Sequence, residues 1–354
     1  MTSKRQQLDE GYIKKIYQEI CQHVEESKKE QKPDEQAFDN WAKIICQPKF
    51  KLIKNLVYLL EQDDTDFQNK EMIFSIFNHI LLINPSSANQ MIKFDSLPKI
   101  LVDYLFQYKK EKAKNDECAI STLSYTFRIN QYEKLVNLEL ITIILDSLTI
   151  VKEQNVLESL IRILVDINST FKNIEKNTFL EAYHTNENSN LVGEIILRLL
   201  NSETDSGKLK KILYCMKCLM DKENKDIFYS KDLEAFLDIA IRYLESTDDN
   251  DFRFCVLEVL QRITKFNEYY NIMYKTKELQ DLSDDYIKSD KVSEKAKSES
   301  RSVLNNLAKN LRKQLLLISG MKLEDINKEE EEEDEYEEGE EEEDDEQEGK
   351  NKNQ

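Results

Sequence analysis

Glycine and proline are scarce in this sequence of 354 residues: there are six of one and four of the other, and every proline (Pro33, Pro48, Pro85, Pro98) lies within the first hundred positions. Sheet-rich folds need frequent turn residues between short strands, so this shortage argues against them. The glycines (Gly11, Gly193, Gly207, Gly320, Gly339, Gly349) never cluster, and neither GxGxxG nor GxxxxGK[ST] occurs. Loops that cradle a phosphate on backbone N–H groups are therefore excluded. Histidine is rarer still: His23, His79 and His184 stand far apart, without the HExxH spacing of a metal site. The nucleophile motif GxSxG is absent too, and the many carboxylates sit on Glu-rich stretches that read as solvated helix faces rather than as an acid and base sharing a pocket. The expectation is a protein that is not an enzyme and needs no cofactor or small-molecule substrate.

No apolar run approaches the ~18–20 residues of a membrane span, and Met1 to Glu10 is too polar for a secretion signal. Six cysteines are scattered at 21, 46, 118, 215, 218 and 255, a pattern that fits a reducing, cytoplasmic compartment. Cys215 and Cys218 form the one CxxC. A zinc site needs two further ligands at a matching spacing, and a redox pair sits at a helix start after a strand. This pair falls inside a helical pattern, KLKKILYCMKCLMD, where residues three apart share a face. Core packing is the favoured reading.

The formal charge of −19 is unevenly placed. Residues 329–348 hold 17 acidic side chains and no basic one, so residues 329–354 carry −15 and the preceding 328 residues only −4. A like-charged block of this kind buries nothing, and a disordered, solubilising tail is expected over 321–354. The nearly neutral body implies no basic groove for nucleic acid.

Apolar residues recur at helical spacing through most of the chain. Ile13, Ile16, Ile20 and Val24 line a first helix; about 37–45 makes a second, with Trp41, the only tryptophan. Leu52, Ile53, Leu56, Val57 and Leu60 mark another. Met72 to Ile83 forms a long apolar helix that must stop at Asn84-Pro85. Ser86 or Ser87 and Ser96 are candidate caps for the two that follow. Further helices are predicted at about 117–129, 138–150, 154–171, 191–200, 207–221, 231–246 and 251–267. Many helices joined by short polar connectors, with no strict repeat signature, predict an all-α, armadillo/HEAT-like helical solenoid over 1–288, with an irregular bundle as the alternative. Residues 289–302 read as a charged linker or an exposed helix. Val303, Leu304, Leu307, Leu311, Leu315 and Ile318 then give an amphipathic helix over 303–320, ended by Gly320, which packs on its own domain or pairs with a partner helix.

One segment carries more than helix chemistry. The run IFYSKDLEAFLDIAIRYL from Ile227 places Phe228-Tyr229, Asp232, Asp238-Ile239 and Arg242 at fixed offsets, followed by Arg253, Tyr269, Lys275 and Leu279. Read as chemistry alone, Asp232 caps a helix, Phe228 and Tyr229 staple its entry, and Leu233, Phe236, Leu237, Ile239, Ala240 and Tyr243 are buried. Arg242 and Arg253 are the better surface candidates. The pattern resembles the signature of the WISH/DIP family, armadillo-like relatives of the Nck-interacting protein with an SH3 domain. The resemblance implies binding to the actin-related protein 2/3 complex and its activation to nucleate linear actin filaments without a pre-existing filament, at cortical actin and in endocytosis. It implies Lys231, Arg242, Arg253 and Lys275 as partner-binding candidates, with Phe228, Tyr229, Asp232, Asp238 and Tyr269 maintaining the fold. The SH3 domain and proline-rich segment of animal relatives have no counterpart here, so Nck-type recruitment is not implied. The acidic tail is no part of the family pattern. A generic armadillo-type scaffold unrelated to actin is the competing expectation.

Overall fold

A computed structural model describes residues 11, 13–19, 22, 51–62, 65–221 and 228–318. The expected helix around Trp41, the remainder of the first helix, and the acidic tail lie outside these residues. Those described are helical or in short connections, with no strand among them. They fall into two compact units that meet in sequence at Phe228 and Tyr229.

The first unit runs α1 (Lys51–Leu60), α2 (Phe67–Ile83), α3 (Ala88–Met91), α4 (Leu97–Lys112), α5 (Glu117–Thr126), α6 (Ile129–Tyr132), α7 (Leu138–Ser147), α8 (Gln154–Asn168), α9 (Thr178–Thr185), α10 (Asn190–Ser202) and α11 (Ser206–Asp221). α2 packs on α5, α5 on α8, and α8 on α11, so every third helix stacks on its predecessor. This is the ladder of a helical solenoid, and it needs no fixed repeat because apolar faces alone register the layers. Ile73, Ile76 and Phe77 of α2, Ile120 and Leu123 of α5, Leu160 and Ile161 of α8, and Ile212 and Met216 of α11 are all buried. Each such side chain contributes roughly 1.5–3 kcal/mol on leaving water.

Helix starts are set by short polar side chains that satisfy the free N–H groups of the first turn. Asp66 accepts from Asn69 N at 2.7 Å, Asp116 from Ala119 N at 2.9 Å, and Asn137 from Leu140 N at 2.9 Å. Ser87 and Ser96, expected caps, make no capping bond; Ser96 Oγ donates instead to Glu61 at 2.5 Å. Pro98 sits in the first turn of α4, where its missing N–H costs nothing. That helix ends on Ala113 in the left-handed region, φ 54°.

The second unit holds α12 (Ser230–Ser246), α13 (Asn250–Ile263), α14 (Asn267–Ile272), α15 (Thr276–Lys288) and α16 (Glu294–Ile318). α16 packs along both α13 and α15, and α12 packs on α13 and α14. α16 also fastens itself with amides. Asn306 Nδ2 donates to Gln261 O at 2.9 Å, and Asn310 Nδ2 to Thr264 O at 2.8 Å, satisfying carbonyls at the end of α13 that have no helical partner. The segment 289–302, expected as a linker or an exposed helix, is helical from Glu294 and continuous with the amphipathic stretch that follows. Its inner edge, Ala296 and Ser300, is fully buried.

Candidate partner-binding surface

α12 carries the signature segment, and its two faces separate the signature into different jobs. Leu233, Phe236, Leu237, Ile239, Ala240 and Leu244 are buried, as the 3.6-residue period predicts. Tyr243 is half-buried and meets Phe252 edge-on at 5.3 Å between ring centres. At the helix start, Tyr229 is the N-cap, and the Asp232 carboxylate reaches back to accept from Tyr229 N at 3.1 Å. Asp232 is thus the return half of a capping box, and its charge lies at the positive end of the helix dipole. Phe228 is buried, whereas Tyr229 is 64% exposed, so the pair does not act together as a staple.

The opposite face is polar. Lys231, Ala235, Asp238 and Arg242 are exposed and spaced by four, three and four residues, which aligns them in one row along the helix. Arg242 lies over the Tyr243 ring at 5.5 Å, a cation–π contact that restrains the guanidinium at the surface. Asp238 is engaged from a different element. Tyr274 OH donates to its carboxylate at 3.2 Å, and Lys275 Nζ stands 4.0 Å from it and 3.2 Å from Glu278. Partial desolvation and the hydrogen bond to Asp238 push the Tyr274 phenol up. The bond to Glu278 raises the Lys275 ammonium, which keeps it charged.

Tyr274 and Lys275 belong to the three-residue link between α14 and α15, in which Met273 (φ 44°) and Lys275 (φ 57°) both adopt left-handed backbone. Neither is glycine or asparagine, so both carry the cost of a Cβ in that region, roughly 1 kcal/mol or more each. The link is held down by Tyr269, fully buried, whose hydroxyl meets Thr276 Oγ1 at 3.2 Å. Tyr269 thus packs in the interior of the second unit. Tyr274 was missed because a lone tyrosine beside a lysine carries no pattern; its role appears only when α14 brings it over α12.

Arg253 departs from expectation. Its side chain is only 11% exposed. It donates through Nη1 to Asn250 Oδ1 at 3.1 Å and through Nη2 to Thr247 O, and lies over the Tyr286 ring at 5.4 Å. Tyr286 OH in turn donates to Leu244 O at 2.5 Å. This clamp ties the end of α12 to α13 and α15, so Arg253 serves the fold where a surface role was expected. Arginine's long apolar stem permits such burial on a helix that looks charged in sequence. Asp238 is thus paired by Lys275, and Arg253 stands 3.7 Å from the exposed Asp248.

The remaining chemical candidates have structural surroundings. Cys215 and Cys218 are buried, and desolvation drives both thiols up, toward the unreactive protonated form. His79 and His184 are half-buried on separate helices. Among the described residues no His, Cys, Asp and Glu cluster is arranged to hold a metal ion, and no helix is long and apolar enough to cross a membrane.

Residues 153–279 match the family model of the SPIN90/Ldb17 leucine-rich domain. The matched domain belongs to the SPIN90/WISH/DIP family, whose signature the α12 segment resembles, and that domain family is linked to actin regulation. The match begins at the residue before α8 and ends in the first turn of α15, so it contains the whole Lys231–Arg242 row and the Tyr274–Lys275 link. No curated protein matches the chain. Among solved structures, an engineered protein from a structural genomics consortium aligns at 16% identity with a TM-score of 0.31, covering 72% of this chain and 98% of its own.

Proposed function

We propose that this protein is a non-catalytic binder of the actin-related protein 2/3 complex, which it activates to start linear actin filaments without a pre-existing filament. The observation that carries the reading is the match over 153–279 to a domain family linked to actin regulation, with the signature's charged residues split between fold and surface. Asp232 caps its helix, whereas Asp238 and Arg242 neither cap nor fill the core. Together with Lys231 and Lys275 they form a row of charges of both signs on rigid elements. Such a row sets register and suppresses wrong partners more than it supplies raw affinity.

Activation on this reading is a population shift: the protein holds the filament-like arrangement of the complex more tightly than the resting one, and the shift is limited by that difference in affinity. A stack of helices suits the task, because a pre-organised surface loses little entropy on docking. The proposed setting is the cytoplasm at cortical actin, including endocytic sites.

The test is actin assembly with the purified complex, without other activators and without preformed filaments. The wild-type chain is expected to shorten the lag and to yield unbranched filaments. Asp238→Lys and Arg242→Glu are expected to weaken binding about tenfold or more with unchanged melting, since like charges then face each other at the interface. A chain that neither binds the complex nor shortens the lag refutes the proposal and leaves a scaffold unrelated to actin.

A further inference from the structure

We propose that Tyr274 is a positioning residue of the candidate surface, holding the Asp238 carboxylate in place for a hydrogen-bond donor of the partner. The inference rests on the reading above, and it adds a residue that neither the signature nor helical spacing marks. Tyr274 OH donates to Asp238, with Oδ1 at 3.2 Å and Oδ2 at 3.4 Å. Lys275 Nζ, 4.0 Å away, is too far for a hydrogen bond and adds only its field. An ionised carboxylate offers about four acceptor positions, of which one phenol proton leaves most open. The Asp238 side chain is 56% exposed, so those positions face solvent on a carboxylate that is already restrained.

The backbone shows what holding Tyr274 there costs. The link is left-handed on both sides of it, at Met273 and Lys275, in a chain that uses neither glycine nor asparagine at either position. The surroundings impose this shape. Met273 N donates to Tyr269 O at 2.8 Å, Thr276 Oγ1 to Met273 O at 2.7 Å, and Leu279 N to Lys275 O at 3.0 Å. Strain that persists because its surroundings over-determine it gathers at functional sites. The fold receives little in return, since the bond it delivers joins side chains at the surface. The return lies in docking. Lys275 lies over the Tyr274 ring at 5.7 Å and steadies it, and a carboxylate already fixed by that ring loses less freedom when a partner takes it.

The test measures binding of the full-length chain to the purified actin-related protein 2/3 complex, with thermal melting followed alongside. Tyr274→Phe removes the hydroxyl and keeps the ring beneath Lys275. It should weaken binding about fivefold or more with melting unchanged. Asp238→Ala should weaken binding at least as much. Adding Tyr274→Phe to it should cost nothing further, because a residue that acts only through Asp238 then has nothing left to position. A tyrosine that served the fold alone would not produce that non-additivity. Three results overturn the proposal. These are binding by Tyr274→Phe equal to that of the wild type; a further loss in the double variant, which makes Tyr274 a contact in its own right; and lowered melting of Tyr274→Phe, which assigns the residue to the fold. In all three the wild-type chain still binds, so the reading above stands. A wild-type chain that does not bind the complex refutes both.

Discussion

Replacing Arg253 with alanine is expected to weaken the second unit without touching a partner. The guanidinium donates to the Thr247 carbonyl and to Asn250 Oδ1, and stacks on Tyr286. A hydrogen bond from a charged donor is worth roughly 1.5–3 kcal/mol. The cation–π contact adds about 1 kcal/mol. The ion pair with Asp248 adds almost nothing, since that carboxylate is fully exposed. Truncation opens a path for water to the freed Thr247 carbonyl, which returns part of the loss, so the net change is about 2–4 kcal/mol. Asn250 is drawn in as well, because its amide also donates to Lys291 O at 3.1 Å and its Oδ1 accepts from Ser293 N at 3.2 Å, fixing the approach to α16. Urea unfolding followed by helical circular dichroism gives the measurement, with Arg253→Lys expected to recover only a minor share because an ammonium cannot fork between two acceptors. Unchanged unfolding of Arg253→Ala combined with loss of partner binding would refute the reasoning and return Arg253 to the surface.

Two further changes test other parts of the fold. Glu203 is held down at about 2: burial acts to raise it, but the N–H groups of Asp205 and Thr204 and the Arg162 guanidinium at 2.5 Å outweigh that. Its contribution is thus present above its ordinary carboxylate value near 4.5 and is lost as pH falls toward about 2, so the acid limb of a stability–pH profile should flatten in Glu203→Gln. Ala113→Gly should stabilise by about 0.5–1 kcal/mol, measured by thermal unfolding, since glycine takes the left-handed φ of 54° at the end of α4 without a Cβ clash.

Helix positions were largely legible, because burial against neighbouring layers imposes a 3.6-residue period on each segment. Asn84-Pro85 ended α2 where steric exclusion requires it. Three features were hidden, each for its own reason. The buried edge of α16 near its start is Ala296 and Ser300, residues too small to register as apolar, so the first turns resembled a linker. The link at Met273–Lys275 turns through left-handed backbone without glycine or asparagine, the residues that announce such turns. Arg253 looked exposed because composition records its charge and not the length of stem that lets it lie across Tyr286. On the candidate surface, Lys231 and Arg242 were implied by the family resemblance, Asp238 was expected to maintain the fold but is exposed beside them, and Tyr274 required the tertiary placement of α14.

The seating of α16 on α13 and α15 bears on where this protein can be cut. The stretch recognised by sequence kinship stops at residue 279, inside α15, yet α16, which packs along α13, begins at Glu294. A recombinant fragment trimmed to 153–279 would discard that cover and all but the first four residues of α15, leaving wet the side of α13 that α16 packs on and the carbonyls of Gln261 and Thr264. The portable module is longer than its family outline, and drift in the α16 sequence is tolerable only where the buried small residues and the two asparagine donors persist.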